Sequence, residues 1–109
     1  MKPGSWFHQT ECFGPVLGII RAENLEEAID IQNDSEFGLT GGLQSLDERE
    51  IALWKTKVQV GNAYINRVIT GAIVRRQPFG GWNHSSMGPG AKAGGPNYLT
   101  MLGSWEEKA

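Results

Sequence analysis

The chain of 109 residues contains one cysteine, Cys12. A single thiol rules out a disulfide within the chain and any Cys-x-x-Cys redox or metal motif. It also fits a reducing compartment. Histidine is scarce too: His8 and His84 lie far apart with no Cys, Asp or Glu at ligand spacing, so no metal site is expected. No run approaches the roughly 18 apolar residues that a membrane span needs. The opening residues, MKPGSWFHQTE, lack the apolar core of a secretory signal, and a cytoplasmic location is expected. Positive charge is not in excess. Ten Lys and Arg stand against twelve Asp and Glu, a net charge of -2, which argues against a nucleic-acid partner. The adjacent pair Arg75-Arg76 reads as a solvated patch.

What the chain does have is an alternation of short apolar runs and helical periods. Residues 16 to 20, VLGII, form an apolar run bounded by Gly14-Pro15 and Arg21, which reads as a buried strand. Asn24 stands three before Glu27, a capping-box spacing. Leu25, Ala28, Ile29 and Gln32 share one helical face, so a helix is expected over 25–33. Residues 37 to 45, FGLTGGLQS, are too short for a helix and read as a strand with a weak middle. Asp47 and Glu50 repeat the capping spacing, and Ile51, Trp54 and Val58 align on the face of a helix over 48–59. A third strand is expected over 63–66, AYIN.

The order is β-α-β-α-β, and helix-length crossovers favour a parallel sheet. The expected fold class is α/β: a three-strand parallel unit over about 14–66, followed over 67–109 by a long glycine-rich loop and tail. Three parallel strands leave two bare edges, a liability unless something covers them. The chain is therefore expected to be part of a larger α/β catalytic domain.

Few residues carry a chemical signal. Cys12 lies between Glu11 and Phe13. A neighbouring carboxylate raises a thiol pKa, so the cysteine reads as a small filler rather than a nucleophile. GPGAKAG, residues 88 to 94, has glycine spacing but contains Pro89 and no convincing following helix, so it is rejected as a phosphate cradle. Gly71 and Ala72 are small enough to expose two successive backbone N–H groups, which suits a carboxylate; an ordinary surface turn is the alternative. Phe79, on a Pro-Phe-Gly-Gly turn, is placed to wall an apolar part of a substrate.

Read together, these segments resemble a known family. Glu11-Cys12-Phe13-Gly14-Pro15-Val16 resembles the Glu-x-Phe-Gly-Pro-Val motif of the aldehyde dehydrogenase superfamily. FGLTGGLQS, VGNAYIN and PFGGWNHSSMGPG are similar to segments that follow it there in the same order. NRVITGAIVRRQPFGG with GAKAGGPNYL resembles the L-glutamate γ-semialdehyde (1-pyrroline-5-carboxylate) dehydrogenase branch, including the domain in bifunctional proline-utilisation enzymes. The resemblance spans roughly residues 3 to 103.

It implies an NAD-dependent oxidation of glutamate semialdehyde to glutamate in proline catabolism. Glu11 would hydrogen-bond the nicotinamide-side ribose of NAD, and Phe13 would help place the ring. The amides of Gly71 and Ala72 would hold the substrate's α-carboxylate, and Phe79 would lie along its aliphatic chain. A homo-oligomer is implied, with the region of Tyr98-Leu99 near the C-terminus helping to join subunits. In the family the nucleophilic cysteine, the oxyanion-hole Asn, the general-base Glu and the Rossmann half lie upstream of the Glu-x-Phe-Gly-Pro motif. None is present here, and Cys12 occupies the variable position. No catalytic residue is therefore assigned, and the chain alone is expected neither to oxidise aldehyde nor to bind NAD measurably. Two alternatives remain open: a stand-alone, non-catalytic interaction or oligomerisation module, and a small carboxylate-binding domain that uses Gly71-Ala72.

Overall fold

Two short polar residues start the two main helices. The structure, a computed structural model, describes residues 1–73, 76–77, 79–87 and 98–108. In chain order it runs α1 (Trp6–Gln9), α2 (Leu25–Asn33), β1 (Phe37–Gly38), β2 (Thr40–Leu43), α3 (Glu48–Lys57), β3 (Asn62–Ile65), β4 (Trp82–Asn83) and a 3-10 turn at Leu99–Leu102. The Asn24 Oδ1 accepts from the Glu27 N–H at 2.9 Å, and the Glu27 carboxylate reaches back to the Glu23 N–H. One helix-end donor and the N–H just before the cap are thereby satisfied. Asp47 caps α3 by accepting the Arg49 N–H at 2.8 Å. The Arg49 guanidinium on the same carboxyl holds it below the ordinary carboxylate range.

Helix α2 lies against α3. The buried Trp54 indole N–H donates to the Gln32 Oε1 at 2.8 Å. Asn33, at the end of α2, also closes the end of α3: its Nδ2 donates to the Lys57 carbonyl and its Oδ1 accepts the Gln59 N–H. Ile29, Trp54 and Tyr64 are the buried apolar side chains among the described residues, so the core is small: Ile29 and Trp54 belong to the helix pair, and Tyr64 stands on the sheet face that Gln77 reaches.

Strand β2 pairs with β3 in parallel, from Thr40↔Asn62 to Leu43↔Ile65, with α3 as the crossover. The α/β class with a parallel sheet therefore holds. The stretch 37–45 is divided at Leu39, because β1 pairs elsewhere, antiparallel with β4 (Phe37↔Asn83, Gly38↔Trp82). The expected strand over 16–20 is a correction. Residues 16–20 carry no strand pairing among the described residues, and Leu17 is 84% exposed, with Val16 and Ile19 also exposed. An apolar run announces burial but does not say against what, and a strand needs a neighbour to exchange its backbone hydrogen bonds with. Here the Ile19 carbonyl takes the Met1 amine at 2.6 Å instead. Among the described residues the parallel unit is thus two-stranded, not three-stranded. No helix among the described residues is long and apolar enough to cross a membrane.

Candidate functional site

The segment that carries Glu11 and Phe13 is tied to α2 through two side chains just before it. His8 accepts the Gly4 N–H on Nδ1 at 2.9 Å, so its Nε2 carries the proton and donates to the Ile31 carbonyl at 2.9 Å. The Gln9 Nε2 donates to the Asp34 carbonyl at 2.7 Å and to its carboxylate at 3.0 Å. Beyond this latch the chain extends through Glu11 to Phe13 and reverses at Gly14, where φ is +108°.

The result is an open cleft of about 960 Å³ between this segment and the β1–β2 stretch, with Glu11, Phe13, Phe37 and Thr40 on its walls. Glu11 is exposed, and among the described residues its carboxylate has no hydrogen-bond or ion-pair partner. Phe13 is 93% exposed. An acid free to accept hydroxyl protons and a bare ring thus share one hollow. Cys12 between them is half-buried and free, and its sulfur has no hydrogen-bonded base among the described residues. Nothing there activates a thiolate.

Gly71, Ala72 and Phe79 do not line this cleft. Gly71 has φ +85° with open space where a Cβ would stand, and among the described residues neither its N–H nor that of Ala72 has a hydrogen-bond partner. A side chain would resist that φ, so glycine here leaves the two successive N–H groups unshielded. Phe79 is half-buried and held from both sides. Two residues before it, the Gln77 Nε2 donates to the Tyr64 hydroxyl at 2.9 Å, and the following Gly80 is bound by Asn62. The Arg67 guanidinium lies over the Tyr64 ring at 4.9 Å from its centroid. Arg75 and the segment 88–94 fall outside the described residues. Among the described residues no group of three His, Cys, Asp or Glu is placed to hold a metal ion.

The residues that the sequence reading missed are those that position others: His8, Gln9 and Asn62. Asn62 had a usable signal. Asparagine is a poor strand former, and one that opens a strand invites the question of what its amide binds.

Comparison with known proteins fits this geometry. Residues 1–104 match the aldehyde dehydrogenase family. The 1-pyrroline-5-carboxylate dehydrogenase of Geobacillus sp. (strain WCH70) is 43% identical over 101 residues, which cover 93% of this chain and 19% of that protein. The chain therefore spans about a fifth of the length of the curated relatives it matches. Among solved structures, Proline Utilization A from Corynebacterium freiburgense aligns with a TM-score of 0.89 and 70% identity, over 100% of this chain and 11% of that one. A Thermus 1-pyrroline-5-carboxylate dehydrogenase with bound NAD aligns with a TM-score of 0.72 and 44% identity, over 75% of this chain and 16% of that one. The chain belongs to the aldehyde dehydrogenase family.

Proposed function

We propose that this chain forms one wall of the active site of an NAD-dependent L-glutamate γ-semialdehyde (1-pyrroline-5-carboxylate) dehydrogenase. Glu11 and Phe13 serve the nicotinamide side of NAD, and Gly71, Ala72 and Phe79 serve the substrate. The observation that carries the reading is the pairing of a carboxylate that has no partner among the described residues with a bare aromatic ring in one cleft, in a chain whose relatives bear that activity in their names. These two groups fit the cofactor. A carboxylate accepts two ribose hydroxyl protons in charge-assisted hydrogen bonds, and an exposed ring packs on a flat heterocycle. When bound, NAD supplies the hydride acceptor.

At the other end of the site, two unshielded N–H groups at Gly71 and Ala72 suit a carboxylate without a counter-charge. Phe79 suits the methylene chain between that carboxylate and the aldehyde. The reactive cysteine, its base and the pyrophosphate site come, on this reading, from the four-fifths of the relatives' length that this chain does not match. Residues 14–66 then act as the α/β support and 67–109 as the substrate anchor and tail. Exposed Leu99, Leu102 and Trp105 support association of that tail with other chains, as in a homo-oligomer. The lone free thiol supports a cytoplasmic setting.

The test is a chimera in which residues 1–104 replace the matching segment of the Geobacillus dehydrogenase. Glu11→Ala in that chimera is expected to raise KM for NAD roughly ten- to a hundredfold, as the loss of hydrogen bonds to a charged group implies. KM for the semialdehyde should stay within about twofold, because uniform cofactor binding is what is lost. An unchanged KM for NAD in a folded chimera would remove Glu11 from the cofactor site.

A further inference from the structure

Asn62 is one of two buried polar side chains among the described residues, with Ser85, that the proposed chemistry does not use; it is 6% exposed. Its amide is fully committed. Nδ2 donates to the Leu39 carbonyl at 2.9 Å and to the Gly80 carbonyl at 3.0 Å, and Oδ1 accepts the Gly80 N–H at 3.2 Å. Two carbonyls demand the amide nitrogen and one N–H demands the oxygen, so the orientation is set by its partners. Both backbone groups of Gly80 are thereby held by one side chain, anchored in turn to the linker between β1 and β2. Around this clamp the turn has further fixings. The Gly38 N–H donates to the buried Ser85 Oγ at 3.0 Å, and the His84 N–H donates to the Glu36 carbonyl at 3.0 Å.

Phe79 is the residue immediately before the clamped glycine. We infer that Asn62 is a specificity-determining positioning residue: its amide fixes Gly80 and so sets where the Phe79 ring stands against the aliphatic chain of a carboxylate-bearing aldehyde. The inference rests on the proposed role of Phe79 and adds what holds that ring in place. A contact group held by buried hydrogen bonds is worth more than a loose one, because a shift of about 1 Å in a substrate wall can cost up to a hundredfold in rate.

Two arms test it. In the 109-residue chain itself, amide hydrogen exchange read by NMR should show a slow Gly80 N–H. Asn62→Ala should speed it by about tenfold or more, and so should Asn62→Asp, which keeps an acceptor for that N–H but turns an oxygen on the Leu39 and Gly80 carbonyls. In the chimera, Asn62→Ala is expected to raise KM for glutamate semialdehyde about tenfold, and Asn62→Asp to raise it at least as much. KM for NAD should stay put, and so should kcat/KM for an aldehyde too short to reach the ring. If neither of these variants folds, Asn62→Ser, a smaller residue that keeps a hydroxyl, carries the kinetic arm. Phe79→Ala tests the underlying reading in the same assay. A raised substrate KM in Phe79→Ala with none in any folded Asn62 variant overturns the inference and leaves the reading intact. An unchanged KM in Phe79→Ala overturns both, even where Gly80 is freed.

Discussion

Trp54→Ala is expected to abolish the cooperative unfolding of the isolated chain. Trp54 is 1% exposed and is one of three buried apolar side chains among the described residues. A buried indole of this kind removes some 150–250 Å² from water, and its truncation to alanine costs about 3–5 kcal/mol. The lost indole N–H also strands the Gln32 oxygen that receives it at 2.8 Å, on the face where α2 and α3 meet. Small domains are stable by only about 5–15 kcal/mol. A chain that leaves Phe13, Leu17, Leu46, Leu99 and Trp105 exposed should lie at or below the lower end of that range. Urea unfolding followed by far-ultraviolet circular dichroism should show no sigmoidal transition in the variant. Trp54→Phe, which keeps most of the apolar surface and loses the donor, should retain one at a lower midpoint. An alanine variant within about 1 kcal/mol of the parent would mean that the helix pair is held by something other than this side chain.

Gly61→Ala is expected to expel the 79–86 turn from its seat. A Cβ at Gly61 would overlap the carbonyl carbon of Gly80 and the nitrogen and Cα of Gly81, all backbone atoms. Backbone cannot swing aside as a side-chain tip can, so the cost should reach about 3 kcal/mol, the upper part of the range for overpacking. The turn is the part able to move. Its departure would break the β1–β4 pair and the bonds from Asn62 to Gly80 together. Gly80→Ala is the internal contrast, since its Cβ would meet the Gly61 carbonyl oxygen at 3.2 Å, a contact relieved by a few tenths of an ångström. Amide exchange should therefore accelerate at Gly38, Gly80 and His84 in Gly61→Ala and change little in Gly80→Ala. Equal effects of the two substitutions would refute the packing argument.

The helices were legible because their signals are local. Asn24 and Asp47 cap within three residues, and the apolar faces of 25–33 and 48–57 need no knowledge of distant chain. The strand over 16–20 failed for the opposite reason. Its apolar residues specify burial, but the described residues of this chain supply no partner strand, so Leu17 and Ile19 remain in solvent. The division of 37–43 at Leu39 was foreseen only as a weak middle, because Trp82 and Asn83, which take the first half, lie far along the sequence. The proposed contact groups Glu11, Phe13, Gly71, Ala72 and Phe79 were named through resemblance, and the residues that support them were illegible. His8 reaches Ile31 and Asn62 reaches Gly80, and such long-range bonds leave no spacing for a sequence pattern to reveal.

On the proposed function, this chain brings a cofactor and substrate wall to a reactive centre that other sequence supplies. The most direct measurement is NADH formation by the chimera carrying residues 1–104, with glutamate semialdehyde and with an aldehyde of equal length that lacks the carboxylate. A rate within about tenfold of the Geobacillus parent is expected, with a kcat/KM preference for the carboxylate-bearing aldehyde of roughly a hundredfold or more, the size that follows from losing two backbone hydrogen bonds to a charged group. A folded chimera that binds no NAD, or that oxidises both aldehydes equally well, would contradict it.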